Sequence, residues 1–408
     1  MKVIRLTHPS KKVAGTLQLT GSKSESNRLL ILKALHPGFK VENRSDAADT
    51  ELLQKALESK EREIDIGQAG TAMRFLTAYF SIQPGRETLL TGSVRMKQRP
   101  IRILVDALRE LGAEIHYLER AGYPPLLISG KKLPGGWVRL SAAVSSQYAT
   151  ALLLIAAKLA RGLRLTLEGA IASMPYIDMT IDLLRRLGIT VNWDGQTITV
   201  FPQRKDPAKS IAIESDWSAA SYYYAIAALA KQASLRLKTF TPYSIQGDSK
   251  LQGIYKRFAV HSDFAPPHLI LQKENRVLPP FVAFDLMAMP DMAQTIAVSC
   301  FGLGVACRLT GLHTLKIKET DRLLALQNEL QKLGARIAVT HDTLYLDKSE
   351  TIHPEVRIKT YGDHRMAMAF APLALKVPIA IEAPEVVEKS YPRFWDDLQQ
   401  LGFLSDYT

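Results

Sequence analysis

Six segments of the chain are apolar on almost every side of a predicted helix, and each begins with small or polar residues. They are residues 24–35, 69–80, 145–160, 216–230, 291–304 and 363–375. Each is followed by a short strand pattern and then by an amphipathic helix, predicted at 49–59, 101–111, 180–187, 251–258, 321–333 and 394–401. A helix that is apolar all round has to be buried all round. The first helices should therefore form interior bundles that the amphipathic helices and the sheets cover.

The pattern amounts to a sixfold repeat of helix, strand, helix and strand. Several of the amphipathic helices end at Leu-Gly and run into a β-branched strand, as in LGAEI, LGITV and LGARIAV. A chain of 408 residues is long for a single core, so the six units fit two domains of three. The charged, proline-containing stretch FPQRKDPAKS, at residues 201–210, is the predicted boundary between them.

Composition and charge narrow the function classes. Hydrophobic residues make up 47% and charged residues 23%, which is ordinary for a globular protein. The N-terminal MKVIRLTHPSKKV lacks the apolar core of a secretory signal, and the longest apolar run, 292–307, is too short for a bilayer. We therefore expect a cytoplasmic protein without membrane association. The net charge of +12 is spread along the chain, which favours small anionic ligands over nucleic acid, although a polyanion-binding surface stays open as an alternative.

Cysteine and histidine spacing gives no support for a metal site. Cys300 and Cys307 are predicted on one helix, where their Cα atoms would lie about 10 Å apart and could not form a disulfide. The sequence contains neither a CxxC nor an HxxxH spacing. We expect the protein to bind no metal.

Residues 19–28, LTGSKSESNR, raise the question of a phosphate-binding loop. Five residues separate Gly15 from Gly21, and Ser22 stands where a nucleotide-binding P-loop has its lysine, so that motif is not matched. Backbone N–H groups at a helix start can still bind an anion, whereas a serine-capped helix without a ligand explains the same residues. Taken alone, the segment leaves both possibilities open.

The other buried helices have similar leaders. GQAGTAMR, VSSQ, MPDM and GDHR are rich in groups that bind anions or move protons. If these helix starts face one cleft, their dipoles make that cleft attractive to a polyanion. The alternative is structural, with Asp291 as a helix N-cap and Glu319 as a partner of a helix dipole in its first turn.

Nine motifs together resemble one family in order and spacing over essentially the full length. They are GSKSESNR, GQAGTAMR, RMKQRP, VSSQ, SMPYID, PDMAQT, KIKETDR, DHRMAM and EKSYPRF, and the family is that of the EPSP synthases. The resemblance implies an α/β (α+β) protein with two domains in an inside-out, barrel-like fold, three βαβαββ repeats per domain, and an active-site cleft between them. One domain would be 21–213, on the shikimate 3-phosphate side. The other would be 1–20 with 214–408, carrying the catalytic carboxylates and the phosphoenolpyruvate cations.

The same resemblance implies an activity. Members of the family transfer the enolpyruvyl group of phosphoenolpyruvate to the 5-hydroxyl of shikimate 3-phosphate, on the aromatic amino-acid pathway. We expect this protein to be a monomer that needs no cofactor. The sister family, which transfers this group to UDP-N-acetylglucosamine, usually has a cysteine on a first-domain loop. This chain has no cysteine before Cys300, and Lys97 and Gln98 match the shikimate-type pattern instead. The sister activity and a non-catalytic polyanion binder remain the alternatives.

The resemblance also implies which residues act. Asp291 and Glu319 would transfer protons, with Lys23 between the substrates and His364 in the same pocket. The residues implied for phosphoenolpyruvate are Lys23, Gly70, Arg99, Gln147, Arg322, Arg365 and Lys389. Those implied for shikimate 3-phosphate are Lys23, Ser24, Arg28, Ser145, Ser146, Gln147, Ser173, Tyr176, Asp291, Thr314 and Lys318.

Three positions bear on affinity. Gln68 stands where the family usually has asparagine, and Thr314 stands where it has asparagine four residues before Lys318. We expect both departures to affect substrate binding. By the resemblance, Gly70 corresponds to the position at which phosphoenolpyruvate and the herbicide glyphosate compete. The glyphosate-sensitive members of the family have glycine there, so we expect this protein to be inhibited by glyphosate. A tight turn that needs a positive φ would also explain Gly70.

Overall fold

The computed structural model describes residues 2–141, 146–169, 173–203 and 210–408. Its internal contacts divide the chain into a split unit, Met1–Gly21 with Glu214–Thr408, and a continuous unit, Ser22–Ile213. The boundaries expected from the sequence place Gly21 in the continuous unit. In the structure Gly21 forms an isolated antiparallel bridge with Ser215, which ties it to the split unit. The chain thus leaves the split unit after Gly21 and returns to it at Glu214.

The helices follow the predicted alternation. They are α1 (Lys23–Leu35), α2 (Ala48–Glu58), α3 (Gly70–Ser81), α4 (Val94–Lys97), α5 (Arg102–Glu110), α6 (Ser146–Ala156), α7 (Met174–Arg186), α8 (Trp217–Leu229), α9 (Leu251–Lys256), α10 (Ala293–Leu303), α11 (Arg322–Lys332), α12 (His364–Phe370) and α13 (Phe394–Gln400). The six predicted apolar helices are α1, α3 and α6 in the continuous unit and α8, α10 and α12 in the split unit.

Burial confirms the prediction for these six helices. Every residue of α12 is buried, and so is every residue of α8 except Ser218. Within the continuous unit α3 packs on α1 and α6, and within the split unit α10 packs on α8 and α12. Each bundle is therefore the core of its own unit. Burying a large aromatic or aliphatic side chain contributes about 1.5 to 3 kcal/mol, and α8 alone buries Trp217 and three consecutive tyrosines.

The strands surround these bundles. They are β1 (Val3–Thr7), β2 (Lys12–Leu17), β3 (Lys40–Glu42), β4 (Glu63–Asp65), β5 (Glu87–Thr91), β6 (Glu114–Tyr117), β7 (Leu126–Ser129), β8 (Gly136–Ser141), β9 (Leu163–Glu168), β10 (Val191–Trp193), β11 (Thr197–Val200), β12 (Ser210–Ala212), β13 (Gln232–Lys238), β14 (Val260–Ala265), β15 (His268–Lys273), β16 (Phe281–Asp285), β17 (Ala306–Thr310), β18 (Ile337–Val339), β19 (Leu344–Leu346), β20 (Val356–Ile358), β21 (Ile379–Glu382) and β22 (Leu404–Tyr407).

Five sheets share one plan, in which a parallel pair is extended by two antiparallel strands. Their strand orders are β4-β5-β7-β6, β8-β9-β11-β10, β2-β13-β15-β14, β16-β17-β19-β18 and β20-β21-β1-β22. In the fourth, for example, β16 is parallel to β17, while β19 is antiparallel to both β17 and β18. This arrangement bears out the βαβαββ repeat that the family resemblance implies.

The remaining repeat is shorter than predicted. Over the described residues its sheet contains only the parallel pair β3 and β12. The segment after α2, ESKEREIDIG, supplies one short strand before α3 begins. The Leu-Gly signal found after α5, α7, α11 and α13 is missing there, as it is after α9, where a hairpin forms without it. At Gly112, one of those signals, φ is +95°, a left-handed turn that glycine adopts without steric cost.

The cysteine prediction was wrong in its geometry. Helix α10 ends at Leu303, followed by Gly304 with a left-handed φ of +66°, so Cys307 lies on strand β17 instead of the same helix as Cys300. Both cysteines are buried free thiols. Burial raises the pKa of the Cys300 thiol well above its ordinary value, and a hydrogen bond with Cys307 raises it further.

Two further observations concern membrane-spanning helices and metal-binding groups. Among the described residues, no helix combines the length and the apolar character that crossing a membrane requires. The same part of the chain contains no group of three or more His, Cys, Asp or Glu side chains arranged to hold a metal ion.

Candidate active site

In the split unit, the predicted residues lie where the chain enters or leaves a helical segment. Asp291 is in the 3-10 turn Pro290–Met292 just before α10, and Lys389 ends the 3-10 turn Pro384–Lys389. The other positions are Thr314 in the 3-10 turn His313–Ile317, Lys318 and Glu319 just after it, Arg322 at the start of α11, and His364 and Arg365 at the start of α12.

Arg322 is the centre of this group and is almost fully buried, with 2% of its surface exposed. Its guanidinium donates to Asp363 Oδ2 at 2.6 Å and Oδ1 at 3.3 Å, to Asp291 Oδ1 at 2.8 Å and to Glu319 Oε2 at 2.9 Å. An arginine has five N–H groups, so within the described part of the chain these four bonds leave one that a ligand can use. Burial would lower the pKa of Arg322, but Asp363, Glu319 and Asp291 together raise it above its ordinary value.

Asp291 is surrounded by cations. Its Oδ1 lies 3.3 Å from Lys318 Nζ and 2.8 Å from Arg322 Nη1, and its Oδ2 lies 3.6 Å from Arg365 Nη2. The main-chain oxygen of Asp291 also accepts a hydrogen bond from Arg365 Nη1 at 3.3 Å. Burial alone would raise the pKa of Asp291, but Lys318, Arg365 and Arg322 outweigh it and hold the pKa well below its usual range. The carboxyl is therefore ionised at neutral pH.

Glu319 and His364 complete the group. Lys389 Nζ lies 3.0 Å from Glu319 Oε1, while Arg322 holds the other oxygen of that carboxylate. His364 is buried, and its Nδ1 lies 3.6 Å from Asp363 Oδ1. The structure thus brings both predicted proton-transfer carboxylates and three further predicted cations, Lys318, Arg365 and Lys389, together with the buried Arg322. Thr314 is buried nearby in sequence, and its hydroxyl has no hydrogen-bond partner among the described residues.

The structural alternatives for the two carboxylates are not observed. Helix α10 has Met292 at its N-cap, without a side-chain cap, and the side chain of Asp291 faces cations instead. Helix α11 is capped by Asp321, whose carboxylate accepts from the N–H of Leu324, so Glu319 lies outside its first turn. Neither carboxylate serves the helix end that would explain it structurally.

In the continuous unit, the LTGSKSESNR segment does begin a capped helix. Ser22 is the N-cap of α1 and its hydroxyl accepts from the N–H of Glu25. Lys23 is the first helical residue, and its Nζ lies 3.2 Å from the buried carboxylate of Asp49. The cap accounts for Ser22, but it gives no reason for a lysine at the helix start, where the dipole disfavours a cation. That placement fits a site that binds an anion.

Arg28 links three helices of the continuous unit. Its Nε donates to Thr180 Oγ1 on α7 at 2.9 Å, and its Nη2 donates to the main-chain oxygen of Tyr176 at 3.1 Å and to Thr150 Oγ1 on α6 at 3.4 Å. Its Nη1 donates to the main-chain oxygen of Ser24 at 2.8 Å. Burial lowers the pKa of Arg28 to about 10, against the opposing effects of Tyr176 and Glu25. Arg28 therefore carries its charge at neutral pH.

Gly70 is the first residue of α3, and its φ is not in the left-handed region. A turn that needs a positive φ therefore does not explain this glycine. A Cβ at this position would lie 2.2 Å from Arg99 Nη1 and 2.8 Å from Arg99 Cζ. A side chain at this position would therefore require the end of the Arg99 side chain to move. On the same helix, Thr71 accepts a hydrogen bond from Gln147 Nε2 at 3.3 Å.

The remaining predicted residues precede or begin helices of the continuous unit. Ser146 is the first residue of α6 and is buried. Ser173 precedes α7 with a left-handed φ of +55°, and its side chain does not cap the helix. The aromatic ring of Tyr176 lies under the Arg28 guanidinium, 5.8 Å from Cζ to centroid. Ser145 lies outside the described residues.

Comparison with known proteins is consistent with this arrangement. A profile of the family described as EPSP synthase (3-phosphoshikimate 1-carboxyvinyltransferase) matches residues 38–398. The chain belongs to the EPSP synthase family. The 3-phosphoshikimate 1-carboxyvinyltransferase of Bacteroides fragilis (strain ATCC 25285) is 47% identical over 403 residues, covering 98% of this chain and 97% of that protein. The protein of that name from Shewanella halifaxensis is 34% identical over 433 residues, covering 98% and 100%.

Solved structures share the fold at lower identity. An EPSP synthase from Acinetobacter baumannii is similar with a TM-score of 0.79 at 21% identity, over 100% of both chains. The enolpyruvyl transferase NikO from Streptomyces tendae has a TM-score of 0.76 at 16% identity, covering 100% of this chain and 99% of that one. These likenesses confirm the fold class of this EPSP synthase family member.

Sequence reasoning missed two carboxylates that contact predicted cations. Asp363 binds Arg322 and also caps α12 by accepting from the N–H of Arg365 at 2.9 Å. An aspartate before an apolar helix is a cap signal, and that signal hid its second role. Asp49 contacts Lys23 from the start of α2, and no motif marks it.

Proposed function

We propose that the protein transfers the enolpyruvyl group of phosphoenolpyruvate to the 5-hydroxyl of shikimate 3-phosphate and releases phosphate. Membership of the EPSP synthase family supports this transferase activity. The observation that carries it is the group around Arg322, where two carboxylates suited to proton transfer lie among cations suited to anionic substrates.

The reaction needs two proton transfers before phosphate leaves. The oxygen of the 5-hydroxyl attacks C2 of phosphoenolpyruvate and loses its proton to a base, while C3 gains a proton and becomes a methyl group. In the resulting tetrahedral adduct, a proton leaves the methyl group and phosphate departs from C2, which restores the double bond. Asp291 and Glu319 are the proposed proton-transfer groups, and Lys23 and His364 are proposed to assist at the reacting centre.

The cations around Asp291 make the basicity of its carboxylate depend on whether the substrates are bound. With Lys318, Arg365 and Arg322 close by, the pKa of its carboxyl is held low and the group is a weak base. Anionic substrates that pair with these cations offset part of their field, so the pKa of Asp291 rises. The carboxylate then becomes a stronger base when the substrates are in place.

Substrate recognition is proposed to draw on both units. The residues proposed to hold phosphoenolpyruvate are Lys23, Gly70, Arg99, Gln147, Arg322, Arg365 and Lys389. Those proposed for shikimate 3-phosphate are Lys23, Ser24, Arg28, Ser145, Ser146, Gln147, Ser173, Tyr176, Asp291, Thr314 and Lys318. Because four N–H groups of Arg322 already bind carboxylates, we expect it to give phosphoenolpyruvate a single hydrogen bond and chiefly to orient Asp291 and Glu319.

A phosphate-release assay with the purified protein tests the proposal. Phosphate should appear only when phosphoenolpyruvate and shikimate 3-phosphate are both present, and neither alone should suffice. A Lys23→Met variant with unchanged thermal stability is the control and should lose most of the activity. Release with UDP-N-acetylglucosamine as acceptor would favour the sister transferase instead. Salt-sensitive DNA binding without any turnover would favour a polyanion binder.

We further propose that the enzyme acts in the cytoplasm as a monomer and without a cofactor. The chemistry supports the last point, since the transfer requires only proton movements and anion binding. Sedimentation of the purified protein should give a mass close to 45.3 kDa.

A further inference from the structure

Arg365 has an indirect link, through a serine hydroxyl, to another buried carboxylate, that of Asp248. Asp248 belongs to the 3-10 turn Gly247–Lys250 and has 6% of its surface exposed. Its Oδ2 accepts a hydrogen bond from the hydroxyl of Ser218, and that same hydroxyl accepts one from Arg365 Nη2 at 3.2 Å. A continuous chain of hydrogen bonds thus runs from Arg365 through Ser218 to Asp248.

The direction of each bond in this chain is fixed by chemistry. An arginine side chain can only donate, and a serine hydroxyl has a single proton. Because that proton goes to Asp248, a lone pair of Ser218 Oγ is left facing Arg365. Ser218 is also the one residue of α8 that is not buried, and Arg365, which donates to it, is the second residue of α12.

We propose that Asp248 is a positioning residue which, through Ser218, holds the Arg365 guanidinium in the orientation that binds the anionic part of phosphoenolpyruvate. This inference rests on the proposed function, because it takes Arg365 as a ligand of that substrate. Arg365 has a separate hold on Asp291, through the side chain and the main-chain oxygen. Loss of Asp248 should therefore weaken binding without abolishing it.

The charged groups around Asp248 make this hold dependent on pH. Burial raises the pKa of Asp248 to about 6, with Arg365 and the Ser218 hydrogen bond lowering it, and Asp291 and Asp216 raising it. Asp216 is engaged at the start of α8, where it accepts from the N–H of Ala219. As the pH falls through about 6, Asp248 gains a proton and its bond from Ser218 loses the strength of a charged acceptor. The hold on Arg365 then weakens.

Steady-state kinetics of Asp248→Asn, Ser218→Ala and the double variant test the proposal. Each single change should raise KM for phosphoenolpyruvate about fivefold, the size expected for one hydrogen bond, and leave KM for shikimate 3-phosphate within about twofold. The double variant should be no worse than the poorer single variant, because both changes break one chain. Ser218→Thr keeps the hydroxyl and should restore a KM near that of the wild type.

A matched control comes from Glu214→Gln. Glu214 is also a buried carboxylate of the split unit that accepts a bond from a serine hydroxyl, here that of Ser244, but it has no contact with Arg365 among the described residues. This control variant should not raise KM for phosphoenolpyruvate selectively.

The pH dependence of KM is a further test. The ratio of KM values for Asp248→Asn and wild type should be constant above pH 7 and fall toward one below pH 6. In this ratio the effect of substrate ionisation on KM cancels, because it is the same for both proteins.

The outcomes separate this inference from the proposed function. An unchanged KM for phosphoenolpyruvate in Asp248→Asn, additive effects in the double variant, or an equal loss for both substrates would overturn the positioning role. If the wild type binds phosphoenolpyruvate but releases no phosphate, the proposed function fails, and the dissociation constants of the same variants decide the role of Asp248. If the wild type binds no phosphoenolpyruvate even with shikimate 3-phosphate present, both fail.

Discussion

Asp291 and Glu319 each form ion pairs with at least two cationic side chains, which hold both carboxylates in position. We expect Asp291→Asn and Glu319→Gln to lower kcat by about 100-fold or more, the usual range for loss of a proton-transfer group, because each removes the proton acceptor and keeps the shape. Binding of shikimate 3-phosphate should change far less. Turnover and equilibrium binding measured on the same preparations check this, with exposed Glu388→Gln as control. Near-normal kcat in either variant would remove that residue from the mechanism.

The lowered pKa of Asp291 also has a consequence for stability. A carboxyl with a folded pKa below its unfolded value of about 3.9 stabilises the fold above that pH, and this contribution is lost as the pH falls toward the folded pKa. Removing one partner from a buried ion pair costs about 3 to 5 kcal/mol. Urea unfolding should therefore show Asp291→Asn less stable than wild type by a constant amount between pH 5 and 7. The difference should shrink below pH 4, and a difference independent of pH down to 3 would contradict this.

Gly70 gives a prediction about inhibitor discrimination. The methyl group of Gly70→Ala would collide with the end of the Arg99 side chain, which must move away from its present position. Because glyphosate is a longer molecule than phosphoenolpyruvate, we expect the change to weaken inhibitor binding more than substrate binding, by about 1 to 3 kcal/mol. Inhibition constants and KM values for both proteins measure this.

Gly253→Ala is the matched control for this experiment. Gly253 lies in helix α9, and a Cβ there meets nothing within 4 Å. It should leave both constants unchanged. If Gly70→Ala shifts inhibitor and substrate equally, the steric explanation is wrong and displacement of Arg99 affects both ligands alike.

At the scale of single residues, the sequence identifies charged groups better than their partners. The DHR and KETDR motifs predicted that Arg322 and Arg365 belong to one site, and the structure does bring them to Asp291. Arg322 donates four hydrogen bonds to carboxylates because three segments of the chain meet around it. No local sequence pattern predicts that meeting. Asp248 was missed for the same reason, since its link to Arg365 passes through Ser218 on another helix.

At the scale of helices, Arg28 links α1 to α6 and α7 in the continuous unit. Its bonds to α6 and α7 involve neutral acceptors, and a glutamine cannot reproduce all of them. We expect Arg28→Gln to lower the free energy of unfolding by about 2 to 3 kcal/mol, the sum of a few such hydrogen bonds, and to weaken shikimate 3-phosphate binding. Urea titration and calorimetry test both. Arg5→Gln, which breaks the exposed pair with Glu355, should change stability by less than the error.

Helix burial was predictable here because it follows from composition alone. Segments apolar on all sides have no solvent-facing side, so the six bundle helices could be identified without knowing their neighbours. Strand pairing was harder, because it joins distant segments. Strand β1 pairs with β21 and β22, and β2 pairs with β13, although the first two strands are adjacent in the chain.

At the scale of the whole molecule, each unit has cationic side chains at helix starts. Lys23 begins α1 in the continuous unit, whereas Arg322 and Arg365 lie at the starts of α11 and α12 in the split unit. We expect the cations proposed to bind the substrates to repel one another across the two units until an anion binds. The chain passes from one unit to the other twice, after Gly21 and before Glu214, and each passage is a place where backbone rotation could permit relative movement.

We therefore expect the two units to close when shikimate 3-phosphate binds. Its phosphate carries roughly two negative charges at neutral pH, which offset the repulsion between cations and can be bound by groups of both units. Small-angle scattering should show a smaller radius of gyration at saturating ligand. Arg28→Gln, with its weaker binding, should need more ligand for the same compaction. Scattering at high salt without ligand separates relief of repulsion from bridging by a bound anion. Salt screens the repulsion but supplies no anion that binds both units. Compaction by salt alone would make repulsion sufficient, whereas an unchanged radius at saturating ligand would rule out closure.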